Sequence, residues 1–471
     1  MSAGMVAAIV VALLIVLILA EMPVGIAIAG SGSLGVVLIE GTESAGNIIG
    51  SAAFSATAKY ALVVVLMYVL LGTLVANAGV GAGIYRVTNR VVGRLPGGLA
   101  ATAVAATSVF SGISGSSAAD VATFGRVSVA EMAKHGYSKA EAAAVVAAAG
   151  AFAVLIPPSI VLIIYGIVAQ VSIGALMLAA IVPGILSAFT LMAFVIVRAV
   201  LRRRRAGAEV VVGHARTEVA APVGAAAVPM GPLTEGEEVV DLGPASAPTL
   251  RSDLVAVVYT AILFVIVMGG LYTGVFTATE AGAMGAVTAL LITLVYRSGT
   301  TETRGRIFVR SMREAVDVTS MIFLLLIGGT IFTYFLASSG LAADLADWIL
   351  DLPVPPLAVL ALFLVMLLPL GMFLDGLSIL LLTVPLAAPV VMELGFDGIW
   401  FGILMLKMIE LSLLTPPVGI NVFIIAGISR ERAEKIFRQV LPFVVLDLAV
   451  TAVLFAFPAI TLWLPTAAGM L

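Results

Sequence analysis

Long apolar runs separated by short polar segments alternate along this 471-residue chain. Runs of roughly 17–30 apolar residues are long enough for helices that cross a bilayer. They predict spans near residues 5–20, 22–40, 57–79, 140–168 and 172–200, and again near 253–273, 280–297, 317–338, 398–428 and 438–465. Two further regions are apolar but interrupted midway. Residues 98–135 are interrupted by Ser111-Gly112-Ile113-Ser114-Gly115-Ser116-Ser117, and residues 353–392 by Gly371-Met372-Phe373-Leu374-Asp375-Gly376. Each arm has about 15 residues, or ~22 Å of helix, short of a comfortable crossing. Both regions read as re-entrant helical hairpins with tips near the midplane.

Two of the spans carry the same break. Leu155-Ile156-Pro157-Pro158-Ser159 interrupts 140–168, and Leu414-Thr415-Pro416-Pro417-Val418 interrupts 398–428. A diproline removes two backbone donors and clashes with the preceding helical turn. Inside a membrane it is tolerated only where protein or a water-filled cavity satisfies the freed groups. The two breaks lie 259 residues apart, and so do Pro183 and Pro442, Gly136 and Gly395, and Gly112 and Gly371. Matching breaks in two halves point to a transporter binding site. The chain therefore divides into a first repeat, 1–201, a connecting segment, 202–252, and a second repeat, 253–471. Each half contributes five spans and one hairpin, and because five is odd the second half is inverted relative to the first. The expected fold class is an all-α polytopic membrane protein.

Composition and charge sharpen this layout. The chain is 62% hydrophobic and 11% charged, too apolar for a soluble domain. Its net charge of −3 indicates no nucleic-acid partner; its natural surroundings are membrane lipid. The absence of Cys excludes disulfides and thiolate metal sites, and His135 and His214 are too few for a multi-histidine metal site. Met5 to Ala20 lacks a basic leader and runs into Glu21-Met22-Pro23, so it reads as a retained span rather than a signal peptide. Arg86, Arg90, Arg94, Lys134, Lys139, Arg202 to Arg205, Arg297, Arg304, Arg306, Arg310, Arg313, Arg430, Arg432, Lys435 and Arg438 fall on one side of this topology. Glu40, Glu43, Asp344, Asp347, Asp351, Glu393 and Asp397 fall on the other. The basic side is cytoplasmic, so both termini lie outside, and one hairpin enters from each side. The Pro-rich segment 202–252 shows no helical or strand period and reads as a disordered cytoplasmic linker.

Candidate chemistry gathers at the interruptions. Ser117-Ala118-Ala119-Asp120 has capping-box spacing, and Asp375 stands at the equivalent turn with Ser378 three residues on. The residues after each diproline start a further half-helix. Four half-helix N-termini thus point toward the midplane with unpaired N–H groups, which favours a carboxylate-bearing substrate. The carbonyls and hydroxyls freed there suit a hard cation such as Na⁺. Capping alone would also explain Ser114, Ser116, Ser117 and Thr415. An ionised Asp375 at midplane depth needs a cation or a set of N–H groups. Lys407 and Glu410, three apart, form an internal ion pair or serve substrate or gating. Asp447 is expected to find a backbone or hydroxyl partner, Glu280 to open a helix, and Asn421 either to reach substrate or to pack between helices.

These residues resemble a known family, the large membrane subunit of TRAP (tripartite ATP-independent periplasmic) transporters, the DctM-like subunit. The likeness lies in Phe110 to Ser117 with Gly125-Arg126-Val127, in Leu155 to Ile160 continuing to Ile164-Tyr165-Gly166 and Val171 to Gly174, in Thr277 to Ala281, in Met372 to Asp375, in Glu410, and in Leu414 to Gly419. It covers nearly the whole chain except the long linker. Ala278 stands where the family has proline, and Lys407 is atypical. The resemblance implies an elevator-type secondary transporter, not an enzyme, in a bacterial inner membrane, driven by Na⁺ and carrying a small organic acid. It implies two partners, an extracytoplasmic solute-binding protein and a small four-helix membrane subunit. Carried over by position, Ser114, Gly115, Ser116, Pro157 and Pro158 would build one Na⁺ site, and Asp375, Gly376, Thr415 and Gly419 another. The substrate carboxylate would lie near Ser117, Ser159, Asp375 and Asn421. A stand-alone carboxylate symporter or antiporter of similar architecture is the neighbouring alternative. A membrane-embedded enzyme or respiratory subunit lacks support, since no HExxH, nucleotide loop or haem-ligand pair is present.

Overall fold

The computed structural model describes residues 3–205, 250–296, 303–341, 344, 347, 353–372 and 374–471. Most of the expected linker, 206–249, lies outside the described residues, as do Arg297, Asp351 and Phe373. The described residues form helices and turns with no strand. In chain order the first half runs α1 (Ala3–Leu19), α2 (Val24–Glu40), α3 (Thr42–Thr57), α4 (Val63–Asn77), α5 (Val80–Val92), α6 (Gly98–Ser114), α7 (Ser117–Lys134), α8 (Lys139–Ala151), α9 (Ile160–Val168) and α10 (Ile173–Arg205). The second runs α11 (Leu250–Tyr272), α12 (Ala278–Val295), α13 (Arg304–Ser338), α14 (Pro356–Gly371), α15 (Gly376–Glu393), α16 (Gly398–Ser412), α17 (Ile420–Ser429), α18 (Ala433–Ala456) and α19 (Pro458–Ala467). Among the described residues seven helices are long and apolar enough to cross a bilayer: α10 to Arg202, α11, α12, α13, α15, α18, and α4 with its preceding turn from Tyr60.

The interrupted regions fold as two-helix hairpins, α6–α7 and α14–α15, and both diproline spans split, into α8 and α9 and into α16 and α17. Helix starts at Ser117, Lys139, Ile160 and Ile173 recur 259 or 260 residues later at Gly376, Gly398, Ile420 and Ala433. Local chemistry explains the shared boundaries. Gly136 and Gly395 take positive φ after the hairpins. Ser138 then caps α8 by accepting from the Glu141 N–H at 3.2 Å, and Asp397 caps α16 by accepting from the Ile399 and Trp400 N–H groups at 2.8 and 3.0 Å. Thr277 and Glu280 form a full capping box, so Glu280 opens α12 as expected.

Some boundaries differ from the hydropathy reading. α3 is a separate helix, and α5 is a half-polar helix ahead of the first hairpin. α13 begins at Arg304 rather than near 317, because its Arg-rich start continues the helical period of the apolar part. The last span divides at Phe457-Pro458, where proline cannot continue the preceding helix.

α8 and α16 lie at the centre, buried from Ala140 to Ala151 and from Ile399 to Ser412. Hairpin α6–α7 surrounds α8, and hairpin α14–α15 packs on α16. The halves interlock: α9 packs on α15 of the second hairpin, and α17 packs on α7 of the first. On another side α13 packs against α2 through small residues. A Cβ at Gly328 would lie 2.5 Å from the Gly25 carbonyl, and one at Gly32 would lie 3.0 Å from the Phe332 backbone. Such stripes let membrane helices approach closely. Between α5 and α11, buried Asp253 binds Arg86 at 2.6 Å, with Arg90 at 3.7 Å.

That pair predicts a stability pattern. Removing one partner of a buried pair costs about 3–5 kcal/mol, whereas replacing both with apolar groups is often near neutral. Arg86→Met should lower the thermal midpoint of the detergent-solubilised protein, and Arg86→Met with Asp253→Leu should recover most of the loss. Equal destabilisation of the double variant, read by thermal unfolding, would count against the pair as described.

Candidate functional site

The first hairpin tip and the first break fit against each other. Gly115, with φ of +58°, ends α6 in the left-handed region that favours glycine. A Cβ there would lie 3.3 Å from the Pro158 carbonyl oxygen, and one at Gly112 would lie 3.1 Å from that of Pro157. Bare backbone thus brings the tip onto the break. Pro157, Pro158 and Ser159 are buried, and among the described residues neither proline carbonyl accepts a hydrogen bond. The Ser159 hydroxyl donates to the Val154 carbonyl at 2.7 Å, so it spans the break instead of capping α9.

The tip residues divide their work differently from the sequence expectation. The cap of α7 is Ser116, whose hydroxyl accepts from the Ala119 N–H at 3.4 Å, one residue earlier than the spacing of Ser117 and Asp120 suggested. Asp120 does not close a capping box. It is fully buried and accepts hydrogen bonds from the Ser111 and Ser114 hydroxyls, tying the two arms of the hairpin together. The Ser114 proton is therefore committed, while its oxygen also accepts from the Ser116 N–H at 3.4 Å. Ser111 was not singled out from sequence; its place one turn before Ser114 on α6 was the available signal.

Ser117 and Asn421 come together across the two halves. The Ser117 hydroxyl donates to Asn421 Oδ1 at 2.8 Å, and Asn421 Nδ2 donates to the Ala147 carbonyl of α8 at 3.2 Å. Asn421 is 1% exposed, so this is an internal tie between the starts of α7 and α17 and the middle of α8. Among the described residues no hydrogen bond joins either of them to Ser159 or Asp375.

The second tip repeats the design with different groups. Asp375 caps α15, accepting from the Leu377 N–H at 3.2 Å and from the Ser378 hydroxyl. It occupies the position equivalent to Ser116, so a neutral cap in one half is a carboxylate in the other. Gly371 meets Ser412, and a Cβ at Gly376 would lie 2.8 Å from the Ile409 side chain, so this tip packs on the end of α16. The Thr415 hydroxyl donates to the Ser412 carbonyl at 3.1 Å, and Gly419, with φ of +49°, turns the chain into α17. Unlike the first break, Pro416 and Pro417 are exposed.

The helix ends are unequal in a second way. α7 and α15, which follow the tips, have side-chain caps; α9 and α17, which follow the breaks, have none. Among the described residues the first N–H groups of α9 (Ile160, Val161 and Leu162) make no hydrogen bond, as suits an anion, whereas at α17 the Asn421 N–H donates to the Leu413 carbonyl at 3.3 Å and the Val422 N–H to that of Gly419 at 2.7 Å. The unengaged Pro157 and Pro158 carbonyls, the tip hydroxyls and the Asp375 carboxylate are the oxygen donors a hard cation uses. Away from both tips, Lys407 pairs with Glu410 at 3.0 Å. Asp447 also binds Lys407, not the backbone or hydroxyl partner expected of it.

Comparison with known proteins agrees with this architecture. Residues 11–460 match the family described as "Tripartite ATP-independent periplasmic transporter, DctM component". The chain is 32% identical over 375 residues to the C4-dicarboxylate TRAP transporter large permease protein DctM of Pseudomonas aeruginosa, covering 79% of each chain. It is 31% identical over 370 residues to the sialic acid TRAP transporter large permease protein SiaM of Vibrio cholerae, covering 78% of each. Against the C4-dicarboxylate DctM of Vibrio cholerae it is 28% identical over 476 residues, 97% of each. Among solved structures, the YdaH transporter of Alcanivorax borkumensis shares the fold, with a TM-score of 0.61 at 16% identity over 89% of this chain and 90% of that one. The family match over nearly the whole chain, together with the apolar helices, makes this a multi-pass inner-membrane protein belonging to the DctM family of TRAP transporter large permeases.

Proposed function

We propose that this chain is the large membrane subunit of a Na⁺-coupled tripartite transporter that imports a small organic acid by an elevator motion. The observation that supports this most is the pairing of each hairpin tip with the break, or the helix leading to the break, of its own half. It sets carbonyl and hydroxyl oxygens beside uncapped helix starts, the two kinds of group that a cation and a carboxylate need together. In this reading Ser114, Gly115, Ser116, Pro157 and Pro158 serve one Na⁺ and Asp375, Gly376, Thr415 and Gly419 the other. The substrate carboxylate lies toward Ser117, Ser159, Asp375 and Asn421. The two hairpins are re-entrant and, with the broken helices, form the moving unit, while the α2–α13 side is the scaffold.

The named relatives carry C4-dicarboxylates and sialic acid, so a small carboxylate is the substrate class. A solute-binding protein and a small membrane subunit complete the machine in this reading. The alternative, a stand-alone symporter, differs in one measurement. Proteoliposomes holding this chain and its small subunit should take up labelled organic acid only when a cognate binding protein is added. Uptake of free acid without it would favour the stand-alone transporter.

Two further outcomes follow. Replacing Na⁺ with choline at fixed pH and membrane potential should abolish concentrative uptake; unchanged uptake would rule out Na⁺ coupling. Asp375→Asn separates capping from ion binding, because Asn caps helices about as well as Asp. The variant should keep its thermal midpoint within the equivalent of about 1 kcal/mol, yet its half-saturating Na⁺ concentration should rise at least roughly tenfold, or about 1.4 kcal/mol. A normal Na⁺ dependence would leave Asp375 as a cap alone.

A further inference from the structure

Apart from the hairpin tips, the breaks and the Arg86–Asp253 pair, a charged cluster lies inside the bundle on α16 and α18. Lys407 and Glu410 of α16 have side chains 0% and 1% exposed, and Asp447 of α18 is 13% exposed. Lys407 Nζ donates to Glu410 Oε2 at 3.0 Å, to Ser187 Oγ of α10 at 3.1 Å, and to Asp447 Oδ1. These three bonds use all three ammonium protons. Asp447 Oδ2 is buried and has no hydrogen-bond partner.

Among the described residues the neighbouring helices bring no second cation to the cluster; Lys139 opens α8, more than two turns before Ala148, which lies at the cluster. α10 contributes the hydroxyls of Ser187 and Thr190, and its Arg198 and Arg202 are held at the far end by Glu141 of α8. α14, α17 and α19 carry no acidic, basic or phenolic side chain. Among such groups α15 has only Glu393, at its last residue, and Tyr165 of α9 donates to the Gly398 carbonyl at the opposite end of α16. On α18 itself Glu434, Lys435 and Arg438 lie two or more turns before Asp447. Two carboxylates therefore share one ammonium, which leaves one negative charge. Glu410 also lies in the last turn of α16, where the partial charge of the helix end is negative and disfavours a carboxylate. An uncompensated charge in the bilayer interior costs at least a few kcal/mol.

The space beside the carboxylates decides what offsets that charge. A cavity of about 10 Å³ lies there, lined by Glu410, Asp447, Ser187, Thr190, Phe152 and Phe443. It has room for about one water molecule. A metal cation would need a shell of oxygens and would sit against the ammonium already bridging the two carboxylates. A proton needs neither. Asp447 is the member of the cluster with residual exposure.

We propose that the Lys407–Glu410–Asp447 cluster is a proton-binding site that carries one exchangeable proton on its two carboxylates. Binding converts a carboxylate to a carboxylic acid with a proton from water, and release returns it to water. Because Glu410 is two residues from the end of α16 at Ser412, the proton sets the charge just before the second break. The inference does not rest on Na⁺ coupling and concerns a different ion at a different place.

The test needs no substrate. Full-length protein in lipid is followed by infrared difference spectroscopy while the bulk pH is stepped, reading the C=O stretch of protonated carboxyl groups. The wild type should show a band that grows on acidification, and Glu410→Gln and Asp447→Asn should each remove or shift it. Asp120→Asn, which changes the buried carboxyl of the first hairpin, should leave that component in place. Lys407→Met should move its appearance to higher pH, because two carboxylates without an ammonium hold a proton more tightly. Folding of each variant is checked by its thermal transition. If one of the two carboxyl variants unfolds, the other reads the same shared proton. A titrating band that survives both carboxyl substitutions in folded protein, or no titrating band in the wild type, overturns the proposal and leaves a fixed ion triad.

Discussion

Every N–H and C=O in an apolar medium needs a partner within the protein or in a water-lined space. This chain breaks two helices inside its bundle, and the remainder of its core is arranged around the consequence. At the first break, glycines of a hairpin tip approach the freed proline carbonyls, and Ser159 returns its hydroxyl to the helix that ended. At the second, Thr415 does the same for the carbonyl of Ser412, and the tip glycines approach the end of α16. The central helices α8 and α16 are buried along nearly their whole length because both hairpins and both distal half-helices close over them.

Repetition of backbone does not extend to charge. The first tip keeps its carboxylate, Asp120, behind the turn, locked by two serines, while its cap is the neutral Ser116. The second tip places its carboxylate, Asp375, at the cap itself, half-buried. The Lys407 cluster also belongs to the second half with only a serine donated by the first. The first diproline is sealed and the second is exposed. A single backbone plan thus supports two unlike electrostatic settings, one shielded and one open.

Much of this was legible before any coordinates, for a physical reason. Hydropathy, diprolines and glycine-serine interruptions are local signals, and each marks a place where the backbone must end a helix. The helix ends at Ser114, Ala151, Gly371 and Ser412 fall within a few residues of those interruptions. The direction of side-chain hydrogen bonds was less legible. Ser117 and Asp120 have capping-box spacing, yet Asp120 turns to Ser111 and Ser114 because α6 passes beside it, a fact of packing rather than of spacing. Asp447 gave no sign of Lys407, 40 residues away on another helix. Asn421 likewise gave no sign of its partners Ser117 and Ala147, both in the other half.

The crossing of the halves bears on how the molecule is made. α7 and α8 leave the ribosome early, but the Ser117 hydroxyl and the Ala147 carbonyl meet Asn421 only after a further 274 residues beyond Ala147 have been added. At about 5–20 residues per second, that is an interval on the order of ten seconds or more. Over the same period α9 has no α15 to lie against. The newborn first half must shelter its polar tip in the insertion machinery or in a provisional packing that later gives way. Assembly of the core is thus a late event in synthesis, completed when the second half arrives.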